Sequence, residues 1–201
     1  MGLLDYGSGN LHSAARALTN IGGEVFLGVN KAELWHADAL VVPGVGAFAA
    51  CMAGLSAIGG TELITDWYAA GRPLLGICVG HQILFEGGDE HGVQTSGVGI
   101  YPGSVTKLPT SRLPHMGWSK VTPKESSLLF KGVEEDFFYF VHSYAALNVA
   151  ELGETTCNYL DISFVAAVEK DYVTSTQFHP EKSGKAGHEL LRNWLESIKK
   201  L

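Results

Sequence analysis

A cysteine framed by glycines at the end of an apolar run is the most chemically suggestive feature of this sequence. In Leu74-Leu75-Gly76-Ile77-Cys78-Val79-Gly80-His81-Gln82, a strand-like run passes through Gly-x-Cys-x-Gly into a helical pattern over Gln82 to Glu86. Glycines two residues either side of a nucleophile permit a tight strand-to-helix turn that presents the reactive side chain. At a helix N-terminus the Cys78 sulfur also meets the positive end of the helix dipole and unpaired N–H groups, which favour a thiolate. A lone cysteine in an apolar run is commonly an inert core residue. The flanking glycines make Cys78 a candidate nucleophile instead.

A nucleophile needs a base, and 101 residues further on the chain offers Thr176-Gln177-Phe178-His179-Pro180-Glu181 at the end of a predicted strand. Side chains at i and i+2 share one side of an extended segment, so Glu181 is expected to orient and stabilise the imidazole of His179. Read alone, His-Pro-Glu is a turn with a surface histidine. Acyl chemistry further needs fixed N–H donors for a developing oxyanion. Val79, next to the nucleophile, supplies one, and the glycine-rich loop Val42-Pro43-Gly44-Val45-Gly46 is placed to supply a second, although a plain strand-to-helix turn explains it equally well. His81 is a rival base, but on the helix after the elbow it reads as a packing or hydrogen-bonding residue.

These groups must be carried by a scaffold, and strand-length apolar runs alternating with helical patterns in the first half predict a parallel sheet flanked by helices. Strands are expected at Leu3 to Asp5, Glu24 to Leu27, Ala39 to Val42 and Leu74 to Ile77. Helices are expected over Leu11 to Ile21, around Phe48 to Ile58 and over Glu62 to Ala70. From Val98 to Gln177 short β-type runs predict a mixed, partly antiparallel extension. A last helix, Lys185 to Lys200, carries Leu190, Leu191, Trp194, Leu195 and Ile198 on one stripe. The fold class expected is α/β, a three-layer open mixed, largely parallel sheet with flanking helices, in a single domain over residues 1–201.

Composition excludes several functions. With 14 basic against 21 acidic residues the formal charge is −7, and no basic cluster larger than Lys199-Lys200 argues for nucleic acid. Three cysteines and eight histidines without CxxC or HExxH spacing argue against a disulfide framework or a metal, and for reducing cytoplasm. The 23 uncharged residues from Ala39 to Thr61 could span a bilayer by length. They contain Pro43 and five glycines, so a buried strand, a loop and a buried helix explain them better. Asp5-Tyr6-Gly7-Ser8-Gly9 follows a strand, but His12 stands where a dinucleotide fingerprint needs its third glycine. No cofactor is expected.

Taken together, the elbow from Gly76 to Gln82, the segment Gln177 to Ser183 and the loop Pro43 to Gly46 resemble class I glutamine amidotransferases, whose fold is flavodoxin-like. Asp5 to Leu11, Pro114-His115-Met116-Gly117-Trp118 and Phe140-Val141-His142-Ser143-Tyr144 are similar to the glutaminase-subunit branch of imidazole glycerol phosphate synthases. The resemblance covers nearly the whole chain. It implies a Cys78-His179-Glu181 triad hydrolysing L-glutamine to glutamate and ammonia, with Val79, Gly44 and Val45 framing the oxyanion hole. Gln82, Glu86, Ser143 and Tyr144 would bind the glutamine. It also implies a heterodimer with a (β/α)₈-barrel cyclase subunit, which would use the ammonia to make imidazole glycerol phosphate and aminoimidazole carboxamide ribotide in histidine biosynthesis. Many members of that branch have methionine where this sequence has His81. Two other readings are a stand-alone cysteine hydrolase of the same fold and a non-catalytic regulatory subunit.

Overall fold

The computed structural model describes residues 1–147, 152 and 154–199. Its centre is a seven-stranded sheet. In chain order its strands are β1 (Gly2–Leu4), β2 (Phe26–Gly28), β3 (Leu40–Gly44), β4 (Leu74–Cys78), β11 (Thr155–Tyr159), β12 (Ile162–Lys170) and β13 (Val173–Thr176). They lie in the order β11-β12-β13-β4-β3-β1-β2. The five strands from β13 to β2 are parallel, and β12 and β11 add on antiparallel at one edge. Every residue of β3 and β4 is buried. This is why both read as continuous apolar runs rather than alternating ones: a central parallel strand has no solvent face.

Helices flank the sheet. α1 (Leu11–Asn20) packs against α6 (Gly184–Ile198), and α3 (Phe48–Ala57) against α4 (Gly60–Ala69). A short α2 (Lys31–Leu34) precedes β3. α6 buries Leu190, Leu191, Trp194 and Leu195 on the predicted stripe; the expected end of that helix at Lys200 lies outside the described residues. The uncharged run from Ala39 resolves into β3, a loop and α3, and α3 contributes Phe48, Cys51, Met52 and Leu55 to the core. Among the described residues no single helix is long and apolar enough to cross a membrane.

The middle of the chain departs from expectation. The helix after the elbow, α5, is a single turn, Val79–Gln82, and residues expected to continue it enter a strand, β5 (Phe85–Glu90). β5 belongs to a separate four-stranded sheet with β6 (Val93–Ser96), β7 (Tyr101–Lys107) and β10 (Tyr144–Ala146), in the order β10-β7-β5-β6. A further pair, β8 (His115–Lys120) and β9 (Phe137–His142), is antiparallel. The short β runs therefore supply two additional small sheets as well as the antiparallel edge of the main one. Local pattern marks a strand, but partner choice depends on contacts distant in sequence.

Candidate active site

The elbow at the end of β4 is held by close backbone contacts. Cys78 has φ 56° and ψ −111°, a conformation that L-residues rarely adopt. A Cβ on Gly80 would stand 1.8 Å from the carbonyl oxygen of Val42, and one on Gly76 would stand 2.7 Å from that of Gly80. Glycine at both positions is thus a packing requirement, which is how Gly-x-Cys-x-Gly in the sequence becomes a sharp turn in the fold. Gly44, opposite Cys78 in the β3–β4 register, is equally confined, since a Cβ there would meet the Gly80 nitrogen at 2.6 Å.

His179 approaches from the end of β13. Its Nδ1 lies 2.7 Å from Oε1 of Glu181, with both side chains almost fully buried, and the ring lies beside Cys78, with which it interacts. Burial by itself would push the imidazole down; hydrogen bonds and charges from Cys78 and Glu181 outweigh it and hold His179 up at about 9. The geometry that joins His179 to Glu181 is not the extended one expected. Pro180–Lys182 forms a 3₁₀ turn with proline at its start, and the turn brings the carboxylate back to the ring. Ser183 pins the turn: its hydroxyl donates to the His179 carbonyl at 2.7 Å and accepts from the Tyr139 N–H at 2.9 Å.

These groups open onto a cavity of about 640 Å³ whose lining includes Cys78, Val79, Gln82, Ser143, Tyr144 and His179. Of the ten residues singled out in the sequence, Glu181, Gly44 and Glu86 are not on this lining; Glu181 stands behind the His179 ring. Gly44 backs the elbow from beneath. Glu86 lies on β5 and accepts from the Gly103 N–H at 2.9 Å, away from Cys78 and outside this cavity. The carboxylate at the cavity wall is instead Glu90, whose Oε2 accepts from the Phe48 N–H at 2.7 Å. Reading 82–86 as helix placed Glu86 one turn beyond Gln82; strand geometry carries the chain farther, and Glu90 reaches the wall. Glu181 and Glu90 are thus the site's two carboxylates, and the sequence alone marked only the first.

Val45 lines the cavity, but its N–H is bonded to the Ser8 hydroxyl at 3.1 Å, and Ser8 donates back to the Val45 carbonyl at 2.7 Å. The segment Asp5 to Gly9, set aside as a nucleotide loop, therefore braces the glycine-rich loop. His81 is not a rival base. Its ring is buried in the core, with Nδ1 2.7 Å from the Ser175 hydroxyl and its edge on Phe85; burial pushes it down to about 3. Among the described residues no cluster of three or more His, Cys, Asp or Glu could hold a metal.

A family model described as glutamine amidotransferase class-I matches residues 2–198. The chain belongs to this family. Within it, imidazole glycerol phosphate synthase subunit HisH of Cutibacterium acnes is 54% identical over 199 residues, covering 98% of this chain and 97% of that protein. The protein of the same name from Bifidobacterium longum is 47% identical over 210 residues, covering 98% of each chain. Among solved structures, a glutamine amidotransferase superposes with a TM-score of 0.76 at 19% identity, covering 98% of each chain. A chain of PurLQS from Thermotoga maritima superposes with a TM-score of 0.73 at 17% identity, covering 99% of this chain and 96% of that one. These last two likenesses are likenesses of fold: a mixed sheet with flanking helices.

Proposed function

We infer that this amidotransferase is the glutaminase subunit of an imidazole glycerol phosphate synthase. The observation that carries the reading is a buried imidazole held between a strained, cavity-facing cysteine and a carboxylate, in a chain similar over its length to subunits of that name. Cys78 attacks the side-chain amide carbon of L-glutamine, and His179, charged and steadied by Glu181, delivers a proton to the departing ammonia. Water then cleaves the thioester and glutamate leaves. Gln82, Ser143, Tyr144 and Glu90 hold the substrate, the Glu90 carboxylate suiting its α-ammonium group. Val79 donates to the oxyanion, and Val45 becomes the second donor only when its N–H leaves Ser8. That requirement supports a glutaminase that idles until a loaded partner shifts the loop.

The partner is a cyclase subunit that consumes the ammonia. Supporting this, Met116, Trp118 and Phe137 are 65%, 54% and 50% exposed. They fall on one face of the β8–β9 pair, in register with Val141, Tyr139 and Lys120, and Val141 also lines the cavity. An apolar face continuous with the mouth of a site suits a partner that closes over it.

The test is glutamate release from glutamine by the purified chain, with and without a cyclase partner and its nucleotide substrate, beside Cys78→Ala. Release that needs both partner and Cys78 supports the assignment. Equal release with and without the liganded partner sinks the gating idea, strong release from the chain alone makes it a stand-alone hydrolase, and none under any condition makes it a regulatory subunit.

A further inference from the structure

We propose that Gln177 is a positioning residue for Cys78: its buried side-chain amide holds an N–H donor against the sulfur, oriented through Gln82 by the Tyr144 carbonyl. The inference rests on the reading of Cys78 as the nucleophile.

The argument is one of hydrogen-bond polarity. A carbonyl oxygen can only accept, and that of Tyr144 has two neighbours, Nε2 of Gln82 at 2.8 Å and Nδ1 of His142 at 3.0 Å. Following the first, the other hydrogen of Gln82 Nε2 meets Gln177 at 2.9 Å, so the atom of Gln177 facing it is Oε1. That leaves Nε2 of Gln177 directed at the Cys78 sulfur, 3.9 Å away. Gln177 is fully buried and its own N–H is tied to the Ala166 carbonyl at 2.8 Å, so neither backbone nor amide is free to turn.

Following the second, His142 must carry its proton on Nδ1. Burial pushes His142 down to about 3 and His115 down to about 4, so both rings are neutral, and Nε2 of His142 is a lone pair. It accepts from Nδ1 of His115 at 3.0 Å, whose own Nε2 accepts from the Ser119 hydroxyl at 2.8 Å. One backbone carbonyl thus fixes two histidine tautomers and two amide orientations. The two arms converge on the Tyr144 carbonyl: the histidine arm donates toward it from Ser119, while Gln82 donates one hydrogen to it and the other onward to Gln177. An N–H on sulfur favours thiolate over thiol, and the bond that Gln177 accepts from Gln82 strengthens the N–H it donates.

The test is the rate at which iodoacetamide alkylates Cys78 in the free chain, followed by mass spectrometry of the Cys78 peptide. Gln177→Met keeps the length of the side chain and removes the donor. It should slow alkylation about 3- to 10-fold at pH 7.5, the range expected for one modest hydrogen bond, with the ratio closing toward one at strongly alkaline pH. Gln82→Met, which removes the donor that fixes the Gln177 amide, should slow it in the same direction. Wild-type alkylation by a folded Gln177→Met chain at pH 7.5 would overturn the proposal. So would wild-type alkylation by a folded Gln82→Met chain, which decides the matter if Gln177→Met does not fold. Alkylation uses neither glutamine nor a partner. Predicted alkylation in a chain lacking glutaminase activity would therefore retire the proposed function and leave this inference standing, and normal glutaminase with unchanged alkylation would do the reverse.

Discussion

The elbow should store backbone strain that glycine relieves. The φ 56° and ψ −111° of Cys78 lie within about 10° of the first central position of a type II′ turn, where glycine dominates. Holding a non-glycine residue in such a region costs about 1–3 kcal/mol, and this one belongs at the upper end because the region is nearly closed to L-residues. Cys78→Ala and Cys78→Gly both remove the sulfur and its contacts with His179 and Gln177, so their difference isolates the backbone. At an ordinary buried site glycine is the worse of the two, by about 0.8 kcal/mol for the lost methyl burial and about 0.4–1 kcal/mol for chain entropy. With strain near its upper value the sign reverses, and Cys78→Gly is more stable than Cys78→Ala by about 1 kcal/mol. For a chain of this size that corresponds to a rise of about 2–4 °C in Tm. Urea unfolding of the two variants by circular dichroism measures the difference directly. If Cys78→Gly is the less stable by 1 kcal/mol or more, the elbow is not strained and the reasoning fails.

Three further expectations follow from the site. His81, His115 and His142 are held neutral by burial, at about 3, 4 and 3. Their contribution is present above the unfolded value near 6.5 and is lost as pH falls toward 4 and 3, giving a slope approaching 4 kcal/mol per pH unit at about 1.4 for each. His81→Met should cut the slope of urea stability against pH between 6 and 4 by about a third; an unchanged slope refutes the assignment. His179 has the opposite sign: its share of stability is present below the unfolded value and fades as pH rises through about 9. Glu181→Gln should lower its titration, visible by NMR of the ring nitrogens, and reduce partner-stimulated glutaminase about 10²- to 10⁴-fold, whereas an unmoved titration would show that Glu181 does not set it. Finally, Glu90→Gln keeps an acceptor for the Phe48 N–H but loses the charge, and should raise the KM for glutamine about tenfold or more. Glu86→Gln should leave it within about twofold, and equal effects of the two variants would contradict the placement of Glu90 at the wall.

What the sequence determined by itself was what neighbouring residues enforce. Gly76 and Gly80 two residues either side of Cys78 encode the elbow because the turn folds Gly80 back onto Gly76, although Gly80 also faces Val42 on the neighbouring strand. The buried runs of β3 and β4 and the apolar stripe of α6 encode the central sheet and its cover, because burial imposes a period on the residues that experience it. Cys78, His179 and Glu181 were legible as residue types suited to one reaction. Tertiary structure decided the rest. Phe85 to Glu90 left the helical pattern to become a strand beside β7, which moved the carboxylate at the wall from position 86 to 90. Ser8 came to hold the Val45 N–H across 37 residues, and His81, adjacent to the elbow, turned into the core against Ser175. The direction of each bond from Ser119 to Cys78 likewise depends on one carbonyl, at Tyr144, where Gln82 of α5 and His142 of β9 meet. Spacing and type can propose a nucleophile, but hydrogen-bond polarity and the shape of a cavity wall are properties of contacts distant in sequence.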